Sequence, residues 1–183
     1  MGGMRRWIVR FLVAMLIVIP VTMVAIYIVN PFGARSVDPR QRIVGLGLYR
    51  VPASNMSPGA SPGQVLVTRA GYYVKRQPQR GDVVTLLVPK YEGQLWLQRI
   101  IGLPGETIAI VDGTVHIDGH PLEEPYVAAE NVRTAYSQAM DAVRIPADHY
   151  FLLGDNRDNS EDSRLLDPTR REDITGKVIA RLQ

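Results

Sequence analysis

The chemistry-bearing residues concentrate in one place, Gly154-Asp155-Asn156-Arg157-Asp158-Asn159-Ser160-Glu161-Asp162-Ser163-Arg164, directly after the apolar run Tyr150-Phe151-Leu152-Leu153. Carboxylates, guanidiniums, amides and hydroxyls at this density form a set of matched donors and acceptors. A surface loop does not need such a set, whereas a buried polar network does. Asp162 and Arg164 can pair within it, fixing the stretch against a sheet.

Other chemistries are bounded by composition. The chain has 183 residues and no cysteine, so disulfides, thiol catalysis and Cys-ligated metals are excluded. The histidines are His116, His120 and His149. His116 and His120 are four apart, but they flank Asp118-Gly119, a hairpin turn signal, so they do not form a helical metal face. No metal site and no cofactor is expected. The net charge is +3 and no basic patch is interleaved with aromatics, which gives nucleic-acid binding no support.

The elements that must position the polar stretch begin at a membrane. Residues 11–29 are uncharged and apolar. At about 1.5 Å per residue they span roughly 28 Å, close to the hydrocarbon thickness of a bilayer. Arg5, Arg6 and Arg10 precede the run, which by the positive-inside rule sets residues 1–10 in the cytoplasm and the remainder outside. Pro20 sits mid-span, where a membrane tolerates it. A cleavable leader would end on small residues, but Phe32 stands at −3 to Ala34, so an uncleaved single-pass anchor is expected. Residues 30–42, charged and containing Pro39, read as a juxtamembrane linker.

Residues 43–183 read as one mainly β domain. Strand candidates cover 43–51, 64–68, 82–88, 95–101, 107–111, 114–117 and 177–182, separated by Gly and Pro turn signals. Asp112-Gly113 and Asp118-Gly119 mark a meander with short turns. Residues 123–143 are polar with one possible short helix, and 166–173 suggest another. A closed or nearly closed antiparallel barrel is expected.

The polar stretch resembles the GDNRDNSxDSR box of type I signal peptidases, membrane-anchored serine proteases that remove signal peptides. Four further stretches resemble boxes of that family. Val51-Pro52-Ala53-Ser54-Asn55-Met56-Ser57-Pro58 is similar to (I/V)PSxSMxP, and Arg80-Gly81-Asp82-Val83-Val84 to an RGD-hydrophobic box. Residues 99–106, Arg99 to Glu106, are similar to KRxxGLPGD without its first residue. Asp118-Gly119 with Glu124-Pro125-Tyr126 resembles INGxxxxEPY. The resemblance covers the anchor and nearly all of the outer domain, and implies a signal-peptidase-like antiparallel β domain behind a single N-terminal transmembrane helix.

It also implies site positions, and three of them are changed. The family's serine nucleophile precedes the Met of SMxP, where Asn55 stands. Its lysine base precedes the Arg of the next box, where Gln98 stands. The oxyanion-hole serine falls on Ala53. A delocalised carboxamide is a poor nucleophile, and Gln98 has no titratable amine to act as base. Losing dyad members commonly costs orders of magnitude in rate. The supporting residues remain: Ser160, which in the family bonds the lysine, and Asp155, which pairs with Arg99. Asn55 and Gln98 are expected to exchange hydrogen bonds with each other and with Ser160. Ser54 and Ser57 are the alternative hydroxyls. On an extended strand Ser54 would face away from a groove that Asn55 faces. Lys75 and Lys90 are lysines available to such a scheme, and nothing places them near Asn55.

The reading this favours is a catalytically deficient signal-peptidase homologue. It would bind signal peptides or extended segments of exported proteins by main-chain hydrogen bonds. It would assist secretion or surface-protein assembly, or modulate an active peptidase. The alternatives are an active signal peptidase with rewired or introduced residues, and a structural membrane component without peptide binding.

Overall fold

The computed structural model describes residues 2–91 and 94–182. Helix α1, Gly2–Val29, contains the apolar run and Pro20 and is exposed along most of its length, with Ile26 and Tyr27 half-buried. It is long and apolar enough to cross a membrane, and a helix apolar on every face is stable only in apolar surroundings. It begins within the basic tail, ahead of the uncharged run. The linker is not all coil. Asp38 caps a short helix α2, Pro39–Ile43, by accepting the Arg40 N–H at 2.9 Å, with Pro39 at the first helical position. The first strand therefore starts later than expected, at Leu46.

The β domain contains β1 (Leu46–Arg50), β2 (Val65–Ala70), β3 (Val83–Leu87), β4 (Leu95–Gly102), β5 (Thr107–Val111), β6 (Thr114–Ile117), β7 (His120–Pro121), β8 (Met140–Arg144), β9 (His149–Leu153), β10 (Thr169–Arg170) and β11 (Ile174–Leu182). One sheet runs β1-β2-β11-β3-β4-β9-β10 and a second β7-β6-β5-β8. All the strand pairs are antiparallel. Asp112-Gly113 and Asp118-Gly119 make the expected meander turns, with positive φ at all four residues. His116 and His120 sit on the adjacent strands β6 and β7.

Of the closed or nearly closed barrel expected, only full closure is corrected. The large sheet curls, but its main-chain ladder does not close among the described residues. Among the described residues β1 reaches β4 through side chains, the Tyr49 hydroxyl donating to the Leu95 carbonyl at 3.3 Å and its ring packing against the cluster that includes Leu97. The short helix expected at 166–173 is found there in part, as a single 3-10 turn at Arg171–Asp173. Helix α4 is Ser163–Leu166, capped by Asp162, and β10 follows it. Pro168 ends the helix, because a proline disfavours helical geometry in the residue before it. Between β7 and β8, helix α3 is Ala135–Gln138.

Three apolar clusters hold these elements. Val84, Leu86, Ile100 and Leu152 centre one, and Ile101, Ile108, Val115 and Phe151 centre the second, between the two sheets. The third, Val51, Met56, Ala60, Leu66 and Leu97, lies beneath the segment that leaves β1.

Candidate functional site

Strand β4 is paired on one side along Leu95 to Arg99 by β3, but β9 joins its other side only from Arg99 onward. The stretch before that keeps an edge without a strand partner among the described residues. The segment after β1 lies against this edge. There Ser54–Met56 forms one 3-10 turn, not the extended strand expected, and the fully buried Met56 anchors it in the third cluster. Ser54 consequently does not alternate with Asn55. Its hydroxyl accepts from the Asn159 amide at 2.8 Å.

Asn55 donates its side-chain nitrogen to the Leu97 carbonyl at 2.9 Å, and its own carbonyl accepts the Asn156 N–H at 3.0 Å. Gln98, 1% exposed, donates to the Glu161 carbonyl at 2.7 Å. The expected triangle of Asn55, Gln98 and Ser160 is therefore corrected: both carboxamides take main-chain carbonyls. The Ser160 hydroxyl is buried without a partner. Leaving such a group unpaired costs about 1–3 kcal/mol. Gly154 brings these parts together. A Cβ there would lie 2.5 Å from the Asn55 carbonyl oxygen and would overlap the Ser160 hydroxyl, so only glycine permits the approach.

Asn55 and Ala53 line one cavity of about 420 Å³ with Tyr49, Leu95, Trp96, Leu97 and Glu161. It is the gap between the end of β1 and the free edge of β4. Gln98 lines a different cavity of about 180 Å³, with His149, Asp162 and Leu166.

The supporting ion pairs are all tight. Arg99 grips Asp155 through two bonds of 2.8 and 2.6 Å, donates to the Gly81 carbonyl at 2.9 Å and covers the Tyr126 ring at 3.9 Å. Burial alone would lower the Arg99 pKa, but the hydrogen bonds and charge of Asp155 outweigh it and hold it raised. Arg164 grips Asp162 at 2.8 and 2.7 Å over the Tyr136 ring. Burial, followed by the Asp162 charge, pushes the Tyr136 hydroxyl up to about 12.

Sequence reasoning missed a third pair, Arg157 with Glu124 at 2.5 Å, both nearly fully buried. Its partners lay in two separate boxes, and nothing in either spacing joined them. It also missed Asp158. Desolvation works to raise that carboxyl, but hydrogen bonds from Ser137, Thr134 and the Thr134 and Arg133 backbone hold it well below the usual carboxylate range. One lysine, Lys90, comes to the rim of the Asn55 cavity, which Glu161 lines. Lys177 is tied to Asp82 at 2.5 Å, and Lys90 stands 3.7 Å from the Glu161 carboxylate.

This arrangement is an antiparallel β domain behind an apolar helix, with a groove along a free strand edge and a polar box bolted behind it. Residues 4–183 match the family model described as signal peptidase, peptidase S26, and the chain belongs to that family. The chain is 35% identical over 136 residues to a probable signal peptidase I-2 of Synechocystis, covering 72% of this chain and 60% of that one. Signal peptidase I of Pseudomonas fluorescens is 29% identical over 167 residues, 71% of this chain and 59% of that protein. The chain thus spans about three fifths of the length of these two relatives. The crystal structure of a signal peptidase I from Enterococcus faecalis V583 matches with a TM-score of 0.51 and 32% identity, over 57% of this chain and 98% of that one.

Proposed function

We propose that this chain is a catalytically deficient member of its family that holds extended segments of exported proteins, signal peptides among them, in the groove lined by Asn55 and β4. The single observation that carries the reading is the occupancy of the centre. The residue at the nucleophile position, Asn55, is a carboxamide tied to the Leu97 carbonyl. The residue at the base position, Gln98, is a carboxamide tied to the Glu161 carbonyl. Neither can take up a proton from an attacking group at neutral pH, and the Ser160 hydroxyl has no amine to serve. Ser54 supplies no substitute, because its hydroxyl faces the Asn159 amide and no lysine.

Binding is a separate matter from cleavage. A free strand edge beside an apolar cavity is the geometry that accepts an added strand, with main-chain hydrogen bonds for affinity and shallow pockets for alternate side chains. The expected role is to guide secretion or surface-protein assembly, from a single-pass anchor with residues 43–183 outside the cytoplasm. Partners are the lipid bilayer, exported proteins and, through shared clients, an active signal peptidase or surface-assembly machinery.

The test is the purified full chain in detergent with a fluorescent signal-peptide substrate. The expected result is saturable binding and no cleaved product. Turnover abolished by Ser54→Ala or Ser57→Ala would establish an active, rewired peptidase instead. Neither binding nor cleavage would leave a structural membrane component.

A further inference from the structure

The groove beside Asn55 carries one charged side chain among the described residues that line it, and the chemistry proposed for the centre does not use it. Glu161 lies between the Ser160 and Asp162 of the polar box, but unlike them it is more than a third exposed and borders the cavity shared by Ala53, Asn55 and Trp96. Its carboxylate accepts the Tyr91 hydroxyl at 2.6 Å through Oε1. The Tyr91 and Trp96 rings stack at 5.1 Å with an interplanar angle of 23°. A carboxylate set at the rim of an aromatic slab is the environment that holds an ammonium or guanidinium group.

The chain already offers an internal cation to this corner. Lys90, on the turn Pro89–Tyr91, places its ammonium 3.7 Å from Glu161 and 5.2 Å from the Tyr91 ring centroid. Its side chain is 65% exposed and the ion-pair distance is long. Such a contact is worth little and is readily exchanged.

We propose that Glu161, with the Tyr91–Trp96 pair, is a specificity subsite that takes a Lys or Arg side chain of the segment held in the groove, Lys90 being the occupant it displaces. The proposal rests on the peptide-binding reading above and deepens it: the preferred segment is extended and carries one basic residue at a fixed position. Apart from Glu161 the described lining is uncharged, with Asn55 and Gln94 its polar side chains, so a basic residue at any other position meets no counter-charge there.

The experiment is a position scan by fluorescence polarisation on the full chain in detergent micelles. Labelled peptides of Ala, Ser and Thr carry one Arg, moved position by position, beside the same peptides with citrulline, which keeps the shape without the charge. At one position Arg should bind roughly fivefold tighter than citrulline, as expected for a part-exposed cation held by a carboxylate and a ring. Glu161→Gln should erase that difference, and Lys90→Ala should enlarge it. Arg and citrulline peptides binding alike at every position would overturn the subsite and leave the groove standing. A preference that survives Glu161→Gln would overturn it as well. No binding of any peptide would remove the groove reading and the subsite together.

Discussion

Asn55 donates to the Leu97 carbonyl at 2.9 Å, two residues along β4 from the Leu95 carbonyl that accepts the Tyr49 hydroxyl. Carbonyls two apart on a strand point the same way, here toward the edge that no strand covers. Asn55 is therefore a plug on the acceptors that an added strand would use.

Removing the plug should tighten binding. Asn55→Ala frees the Leu97 carbonyl for a peptide N–H, and a net hydrogen bond of about 0.5–1.5 kcal/mol predicts roughly threefold to tenfold higher affinity. Tyr49→Phe should act in the same direction and by less, its bond being longer. A polarisation titration of an extended Ala/Ser/Thr peptide decides it. Weaker binding to Asn55→Ala would mean that the amide belongs to the binding surface and does not block it.

Placing at 55 and 98 the serine and lysine that the family resemblance implies should lower stability. A lysine at 98 would give the orphaned Ser160 hydroxyl a partner, a gain of about 1 kcal/mol. It must also enter a site where Gln98 is 1% exposed, and desolvating an ammonium costs several kcal/mol or depresses its pKa. The second effect is larger, so Asn55→Ser with Gln98→Lys should melt below the natural chain. Signal-peptide cleavage should return partly and rise further with Ala53→Ser, since one oxyanion donor is worth about 3 kcal/mol. A double variant that melts higher would refute the idea that this centre is adapted to neutral groups. A folded triple variant that stays inert would mean the groove has diverged too.

Arg99→Ala should destabilise the domain by about 3–5 kcal/mol, because it strands a buried carboxylate. Asp155 is 1% exposed and has two of its bonds from that guanidinium. Arg170, paired at 3.6 Å with Glu172 and mostly exposed, is the control: Arg170→Ala should change stability by less than about 0.5 kcal/mol. Urea midpoints compare them. Equal effects would show that the box is not what fixes β9 to β4.

The box and the strands were readable because each rests on local spacing: apolar runs bounded by Gly and Pro, and a dense polar string after one of them. Turns at Asp112-Gly113 and Asp118-Gly119 follow from the positive φ those residues tolerate. What spacing could not carry was anything set by approach across the fold. The 3-10 turn at Ser54–Met56 is imposed by Met56 entering the third cluster, a tertiary effect on a stretch that reads as extended. The Arg157–Glu124 pair and the Glu161–Tyr91 contact join residues 33 and 70 apart in sequence. Neither has a local signature. Asn55 and Gln98 were expected to bond each other because they sit at paired positions in the family. In the fold their nearest good acceptors are carbonyls of β4 and the box.

Topology follows from charge and helix length together. Arg5, Arg6 and Arg10 lie on the same helix as the apolar run, and they are expected to stay on the cytoplasmic side. A phosphatase reporter that works only outside the cytoplasm, fused after Gln183, should be active. Replacing the three arginines with glutamine should reduce that activity. A fusion active only as a cytoplasmic reporter would invert the orientation and with it every proposed client.

Alkaline stability isolates the contact that locks the polar box. Tyr136 donates to the Ser160 carbonyl at 3.0 Å and weakly to Asp162. Burial, then the Asp162 charge, pushes its pKa up to about 12, against about 10 for an unperturbed tyrosine. The folded state therefore holds this proton more tightly than the unfolded chain. The stabilisation is fully present below pH 10 and is lost as pH rises through about 12. Tyr136→Phe keeps the ring over Arg164 but has no proton to lose. Its urea midpoint should lie below that of the natural chain at pH 8, and the gap should narrow between about pH 10 and 12. Tyr126, raised by its own burial and by Glu124, titrates in both proteins and cancels in the difference. Midpoints that run parallel over this window would show that the hydroxyl does not hold the box, leaving Arg164 and Asp162 alone to lock it.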